Sequence, residues 1–439
     1  MFTNIMKTKI LLAAAVVLSS VAACFSQPPG QPAITGPLSW SDCVSMAMRN
    51  NPQLASSEDS VEASKYSYYG SHNGILPQIS LSHSYSQSGT VVTPTTVIPT
   101  GATTEWEAAG SISLNIFNKS QYATIAAALA SLTQAQANNR QTSAQVRLNL
   151  RTAFCQLLYA QKNIEVSQNI VNMRDVESQL VTLRYNSGTE YKGNMLEAKA
   201  ELLQAQADLA QSKRDFRTDQ RLLCQQLGLD EFTVITVTNT LTVQDPGQLP
   251  EHNEEALLAN RPDVSLQEAV VKGSEASLSQ ANSSLWPTLS GNYTSNMYGP
   301  QEFPSSQSYQ YGLTLKYSLF GGGLTAAYDS ISSAKNNLKK SKQDLRAVRE
   351  NAIASIESSW SSFKQAMDSE KVNEALLEAP RVRNEEADIH YDSGLLTYDN
   401  WEIIASARIS QERQTIQAEL SAQTAEAAWE NALGKQLGE

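Results

Sequence analysis

Ser308-Tyr309-Gln310-Tyr311-Gly312-Leu313-Thr314-Leu315-Lys316-Tyr317-Ser318-Leu319 decides how the rest of the chain is read. Its tyrosines and leucines occupy the odd positions, while Ser308, Gln310, Gly312, Thr314, Lys316 and Ser318 occupy the even ones. A period of two means a β-strand with one apolar and one polar face. Three other stretches alternate in the same way. Ile79, Leu81, His83 and Tyr85 alternate with Gln78, Ser80, Ser82 and Ser84, and Ala108 to Ile116 alternate with Glu107 to Asn115. Leu289, Gly291, Tyr293 and Met297 alternate with serines, threonines and asparagines. Strands are expected over about 76–87, 106–117, 286–297 and 308–319.

These strands come in two matched pairs. Leu76-Pro77 is answered by Trp286-Pro287 and Asn51-Pro52 by Arg261-Pro262, both 210 residues later. Tyr185-Asn186-Ser187-Gly188 is answered by Tyr391-Asp392-Ser393-Gly394 and Leu227-Gly228 by Leu433-Gly434, both 206 residues later. Landmarks that recur in one order at one spacing mark a duplication. Unit 1 is expected over residues 38–229 and unit 2 over 252–439, with a linker at 230–251.

The remainder of each unit reads as helix. Gln121 to Tyr185 contains neither Pro nor Gly, and a helix of that length would extend about 100 Å. Leu324 to Tyr391 matches it apart from Pro380, which is expected to kink or interrupt the helix. Shorter helices are expected from Trp40 to Ser71, Met195 to Leu227, Glu254 to Leu285 and Trp401 to Leu437. Helices this long need neighbours along their whole length.

Composition removes several function classes. The 439 residues carry 33 Lys+Arg and 44 Asp+Glu, a net charge of -11 that repels phosphate backbones, so no nucleic-acid partner is expected. Four His and four Cys form no C-x-x-C or H-x-x-x-H motif, and there is no Gly-rich phosphate loop. No enzyme, metal centre or cofactor is expected. Residues 1–23 read as a signal peptide: Lys7 and Lys9 precede the apolar run Ile10 to Leu18, and Val21-Ala22-Ala23-Cys24 follows. That last tetrapeptide resembles the bacterial lipobox, which would make Cys24 the acylated first residue of the mature chain. Cleavage nearby, with Cys24 a bystander, is the plainer alternative. Phe25 in place of Asp favours the outer membrane by the usual sorting rule, and residues 24–37 read as a lipidated, flexible tether.

The strands have the length of transmembrane strands, with Leu, Ile and Tyr for lipid and Ser, Thr and Asn for water. Four strands cannot close a barrel, and open edges are forbidden in hydrocarbon. Several chains must therefore share one barrel. Two would give eight strands around a filled interior, and three would give twelve around an aqueous passage.

The duplicated helix-strand-strand-helix-helix unit, the Xaa-Pro openings, the Phe320-Gly321-Gly322-Gly323 strand exit and the Tyr-x-x-Gly turns together resemble the TolC-type outer-membrane efflux proteins, from Leu38 to Gly434. The first strand exit, Phe117-Asn118-Lys119-Ser120, departs from the Gly-rich pattern. The resemblance implies a mainly α fold with membrane β. Three chains would form a twelve-stranded β-barrel continued by a long periplasmic α-helical barrel. It implies an exit channel for a tripartite efflux or type I secretion system, a homotrimer partnered by a periplasmic adaptor and an inner-membrane pump and embedded in outer-membrane lipid. The strand connection bearing Thr95 and Thr96 would then lie outside the cell. A non-conducting envelope scaffold is the alternative function.

By the same resemblance the Tyr-x-x-Gly turns are adaptor-contacting tips, namely Tyr185, Ser187, Gly188, Tyr391, Ser393 and Gly394. Plain helix capping accounts for the glycines but leaves the repeated tyrosine unexplained. Family members often carry acidic rings six and nine residues past the tip Gly, at the periplasmic aperture. The matching positions here are Asn194 and Glu197 in unit 1, and Asn400 and Ile403 in unit 2. Glu197 is either one member of a carboxylate ring or a solvated helix-face residue. Asp399 and Glu402 are adjacent. Trp106, Trp286 and Tyr298 fit interfacial belts. Cys155 and Cys224 lie nearly level across a hairpin, either bridged or buried separately on two faces.

Overall fold

The computed structural model describes residues 36–88, 103–230, 233–238, 257–302, 304–318 and 325–438, with Asp245, Gly247 and Gly323. Cys24 and the tether up to residue 35, Thr95, Thr96 and Phe320 to Gly322 lie outside the described residues. Residues 37–439 form one compact unit.

Its elements follow the duplication. Unit 1 runs α1 (Trp40–Asn50), α2 (Pro52–Ser71), β1 (Gln78–Ser88), β2 (Thr103–Phe117), α3 (Lys119–Asn186) and α4 (Lys192–Leu227). Unit 2 runs α5 (Pro262–Ser283), β3 (Thr288–Gly299), β4 (Ser306–Lys316), α6 (Ala326–Asp392) and α7 (Tyr398–Ala432). The single helix expected from Trp40 to Ser71 is broken at Asn51, and the one expected from Glu254 is interrupted before Arg261. Each break falls on the residue before a proline, with ψ 120° at Asn51 and 116° at Arg261, because the proline ring excludes the helical conformation there. Pro380, by contrast, does not end α6, which continues unbroken to Asp392. The lost amide bond is one among many in a helix held laterally by α7.

Local caps explain the starts. Ser39 and Asp42 form a reciprocal capping box at α1, and Asn51 Oδ1 accepts from the amides of Gln53 and Leu54 at α2. Asn118 Oδ1 accepts from Ser120 N at 3.1 Å, so the departure at the first strand exit is an N-cap for α3. Both units also fasten their opening to their own last helix. Asn51 Nδ2 donates to Gln226 O at 2.8 Å, and its counterpart Arg261 donates to Ala432 O at 2.6 Å.

The four strands form an antiparallel meander in the order β1-β2-β3-β4, with β1 and β4 as its edges. Register aligns the faces: Ile79 pairs with Ile112, Ile112 with Tyr293, and Tyr293 with Tyr311. The other face is polar throughout one such row, with Ser80, Ser111, Thr294 and Gln310 in line. The apolar face is bare: Leu81 is 85% and Tyr311 76% exposed. A bulge between Asn115 and Phe117 brings Phe117 opposite Leu289, within 6.3 Å of Trp286.

The long helices make two hairpins, α3 with α4 and α6 with α7, joined mainly where α3 packs on α7. A ladder of ion pairs sets that register: Arg147–Glu430 at 3.0 Å, Arg151–Glu426 at 2.6 Å, Lys162–Glu419, and Arg174–Glu402 at 3.3 Å. Cys43, Cys155 and Cys224 are free and buried. Cys155 faces Ile416 and Glu419 of α7, whereas Cys224 points its thiol at Thr233 O, so the two occupy separate faces.

Candidate functional site at the helix turns

Both hairpins turn through the same hydrogen-bond pattern. Thr189 N donates to Arg184 O at 2.9 Å and Gly188 N to Tyr185 O at 3.0 Å. Leu395 N donates to His390 O at 2.8 Å and Gly394 N to Tyr391 O at 3.0 Å. This is the Schellman closure, and it requires the positive φ of Gly188 (81°) and Gly394 (73°). Ser187 Oγ donates to Arg184 O and Ser393 Oγ to Ile389 O, each at 2.8 Å. All four of these Ser and Gly residues are exposed at the turns.

The two tyrosines differ. Tyr391 is 1% exposed, stacked on Trp401 at 4.2 Å, with Tyr398 edge-on to both. Its hydroxyl donates to Glu190 Oε2 at 2.9 Å, and the Arg184 guanidinium lies 4.4 Å over its ring. Arg184 also donates to Asp392 O at 3.0 Å. Residues of the first turn thus hold the second. Burial, followed by the bond to Glu190, pushes the Tyr391 phenol above its ordinary value, so it stays a donor. Tyr185 is half-buried against the cluster of Val181, Met195, Ala198, Tyr391 and Trp401.

The aperture candidates are spread differently. Asn194 donates to Glu190 Oε1 at 2.8 Å, so it orients the carboxylate that holds Tyr391. Glu197 and Asn400 are exposed, as are Asp399 and Ile403. Sequence reasoning missed Glu190 and Arg184, because unit 2 has Leu396 and His390 in their places and the duplication gives no signal.

Below the turns lies a charged node that the sequence also hid. Arg174 donates to Glu177 at 2.9 Å, to Glu402 at 3.3 Å and to Ser406 at 2.9 Å, with Glu201 at 3.6 Å. Burial works against the Arg174 charge, but the surrounding glutamates outweigh it and raise its pKa. Burial raises the Glu177 carboxyl, assisted by Asp388 and Glu402 and opposed by Arg174. Asp388 in turn accepts from Trp401 Nε1 at 2.7 Å and from Asn384 Nδ2 at 3.1 Å. Among the described residues no group of His, Cys, Asp and Glu is placed to hold a metal ion, and no helix is long and apolar enough to cross a membrane.

A bare apolar sheet with two open edges, continued by long helices that end in tied turns, is the architecture of one known family, and its model, described as outer membrane efflux protein, matches residues 43–229 and 255–435. The chain belongs to the outer membrane efflux protein family. By sequence, no curated protein matches it. Among solved structures it is similar to the CmeC outer membrane channel of Campylobacter jejuni, with a TM-score of 0.80 at 14% identity over 91% of this chain and 87% of that one. It is similar also to the MtrE outer membrane channel of Neisseria gonorrhoeae in its open state, with a TM-score of 0.79 at 15% identity over 91% and 89%. VceC, an outer membrane protein of Vibrio cholerae, gives 0.78 at 16% identity over 91% and 96%. The fold is therefore that of outer-membrane efflux channels, a membrane β portion continued by long helices, and the family places the chain in transport at the outer membrane.

Proposed function

We propose that three copies of this chain form the exit duct of a tripartite efflux assembly, crossing the outer membrane as one shared barrel and the periplasm as a helical tube. The observation that carries this is the sheet: its apolar face is exposed over four strands and both edges are open among the described residues. In lipid such a sheet is stable only when neighbouring chains complete it. Its polar face, rich in Ser, Thr and Asn, then lines water.

The periplasmic turns are the controlled entrance. Tyr391–Glu190 and Arg184–Asp392 hold the second hairpin against the first, and opening requires these links to part. The exposed turn residues Ser187, Gly188, Ser393 and Gly394 meet a periplasmic adaptor, which couples the duct to an inner-membrane pump. Asn194, Glu197 and Asn400 border the aperture. Cys24 carries the lipid, which adds an anchor to a barrel that is already membrane-embedded.

Light scattering of the detergent-extracted chain, corrected for detergent, together with planar-bilayer recording tests the reading. A conducting trimer is expected. A stable monomer without conductance favours the envelope scaffold.

A further inference from the structure

Duplication lets one contact predict another. Within the chain, α3 of unit 1 packs on α7 of unit 2. The counterpart of α3 in unit 2 is α6, and the counterpart of α7 in unit 1 is α4, each displaced by 206 residues. Away from the turns, where Met195 and Ala198 share a buried cluster with Ala387 and Tyr391, α4 and α6 of one chain have no extended contact. Their outer faces are left with exposed apolar side chains: Leu196 (54%) and Leu203 (66%) on α4, Val372 (56%) and Leu376 (53%) on α6.

We propose that α4 of one chain packs on α6 of the next copy in the register that the duplication dictates, with Lys213 against Asp368, Leu203 against Leu376 and Leu196 against Pro380. The inference rests on the shared assembly proposed above and specifies its contact.

Each pair is the image of an observed one. Lys162–Glu419 is an ion pair across α3 and α7, and displacement turns it into Asp368 and Lys213. The charges exchange helices, but their opposition survives. Lys213 and Asp368 are both exposed, and neither has an ion-pair partner among the described residues. Ile170 and Ile409, which line one cavity between α3 and α7, become Leu376 and Leu203. Arg174 and Glu402, the charged node, become Pro380 and Leu196. A buried ionic contact within the chain is thus replaced by an apolar one between chains, which needs no desolvation of charge.

The correspondence has a visible limit. Glu426 would map to Gln220 and Glu430 to Cys224, but both positions are already covered by the segment 233–238. Gln220 Nε2 donates to Ile235 O at 2.7 Å and the Cys224 thiol to Thr233 O at 3.4 Å. The contact between chains therefore begins on the turn side of Gln220.

The strands carry displacements of their own: Ile79 pairs with Ile112 in unit 1 and Leu289 with Leu315 in unit 2, so β1 maps to β3 by 210 residues and β2 to β4 by 203. The observed pairs Ile112 with Tyr293 and Leu114 with Gly291 then become Leu315 with His83 and Tyr317 with Leu81, joining β4 of one chain to β1 of the next. All four positions lie on the apolar face, so that face continues around the barrel. A slip of one residue would set it against the polar face.

Paired cysteines in the full-length chain, oxidised in native membranes, test the register. Leu203→Cys with Leu376→Cys should give covalent dimers and trimers. Leu203→Cys with Ile389→Cys should not, because cysteines whose Cα atoms are more than about 7 Å apart cannot bridge. Lys213→Asp should lower trimer recovery severalfold, and adding Asp368→Lys should restore it. Trimers that cross-link only through the Ile389 pair, or double reversal without rescue, overturn the register and leave the trimeric duct standing. A chain that stays monomeric under all conditions overturns the duct as well.

Discussion

The Tyr391 hydroxyl is the clearest single handle on the proposed entrance. It donates to a carboxylate, and a hydrogen bond to a charged group contributes about 1.5–3 kcal/mol. Phenylalanine keeps the stack on Trp401 and removes only that bond. Tyr391→Phe is expected to raise conductance in planar bilayers with trimer yield unchanged, and Glu190→Gln to do the same more weakly because the amide still accepts. Tyr185→Phe, at a position that contributes packing, is the matched control. Equal conductance in all three would place control elsewhere along the tube. Glu177 makes a second test at this scale. Burial raises its pKa above 4.5, so the folded chain holds its proton more tightly than the unfolded one. The associated stability is fully present below the ordinary carboxylate range and is lost as pH rises through the raised value. Thermal midpoints of the trimer should therefore fall over that interval, and Glu177→Gln should flatten the fall. An unchanged slope in the variant would assign the effect to other carboxylates. Arg174→Met, which leaves Glu177, Glu201 and Glu402 facing one another, should cost about 3–5 kcal/mol per chain.

At the scale of elements, the helix ends show what glycine is for. Gly188, Gly228, Gly394 and Gly434 all have positive φ, but their surroundings differ. A Cβ on Gly188 would meet open space, whereas one on Gly228 would lie 2.1 Å from Asn50 O and one on Gly434 2.6 Å from Asn260 O. The last two are equivalent positions, where the end of each unit presses on its own opening. Gly188→Ala should cost only the left-handed penalty of about 1–2 kcal/mol. Gly228→Ala should cost clearly more and shift Asn50 away; urea midpoints of the two variants compare them directly, and equal midpoints would deny the close approach. Much of this scale was legible beforehand. Alternation in Tyr309 to Tyr317 gave β4 because its period is local, and the repeated Tyr-x-x-Gly placed both turns because a Schellman closure needs only a few consecutive residues. The breaks at Asn51 and Arg261 were also written there, in the proline that follows each, but the helical pattern on either side masked them. Glu190 with Tyr391 and Arg174 with Glu402 were not legible. Each joins residues about 200 positions apart and lacks a counterpart in the other unit, so neither periodicity nor repetition could point to it.

The whole molecule is a compromise between water and lipid that two adjacent residues can separate. Leu313 and Thr314 are neighbours in β4 and face opposite sides; Leu313 is 73% exposed on the apolar face, and Thr314 pairs with Ser290 on the polar one. An arginine facing lipid near the bilayer midplane costs about 2–4 kcal/mol in a barrel, while one facing the lumen meets water. In the proposed trimer, shared closure would repeat either effect three times. Leu313→Arg is therefore expected to block membrane insertion, leaving little heat-resistant trimer in the outer-membrane fraction. Thr314→Arg should insert normally and conduct less, with lower preference for cations, because three positive charges would project into the passage. A scaffold that uses its hairpins to bind a protein partner would give no such asymmetry in insertion. If both variants insert equally well and conduct alike, the apolar face does not meet lipid, and the open edges of β1 and β4 must be closed by something other than further copies of this sheet.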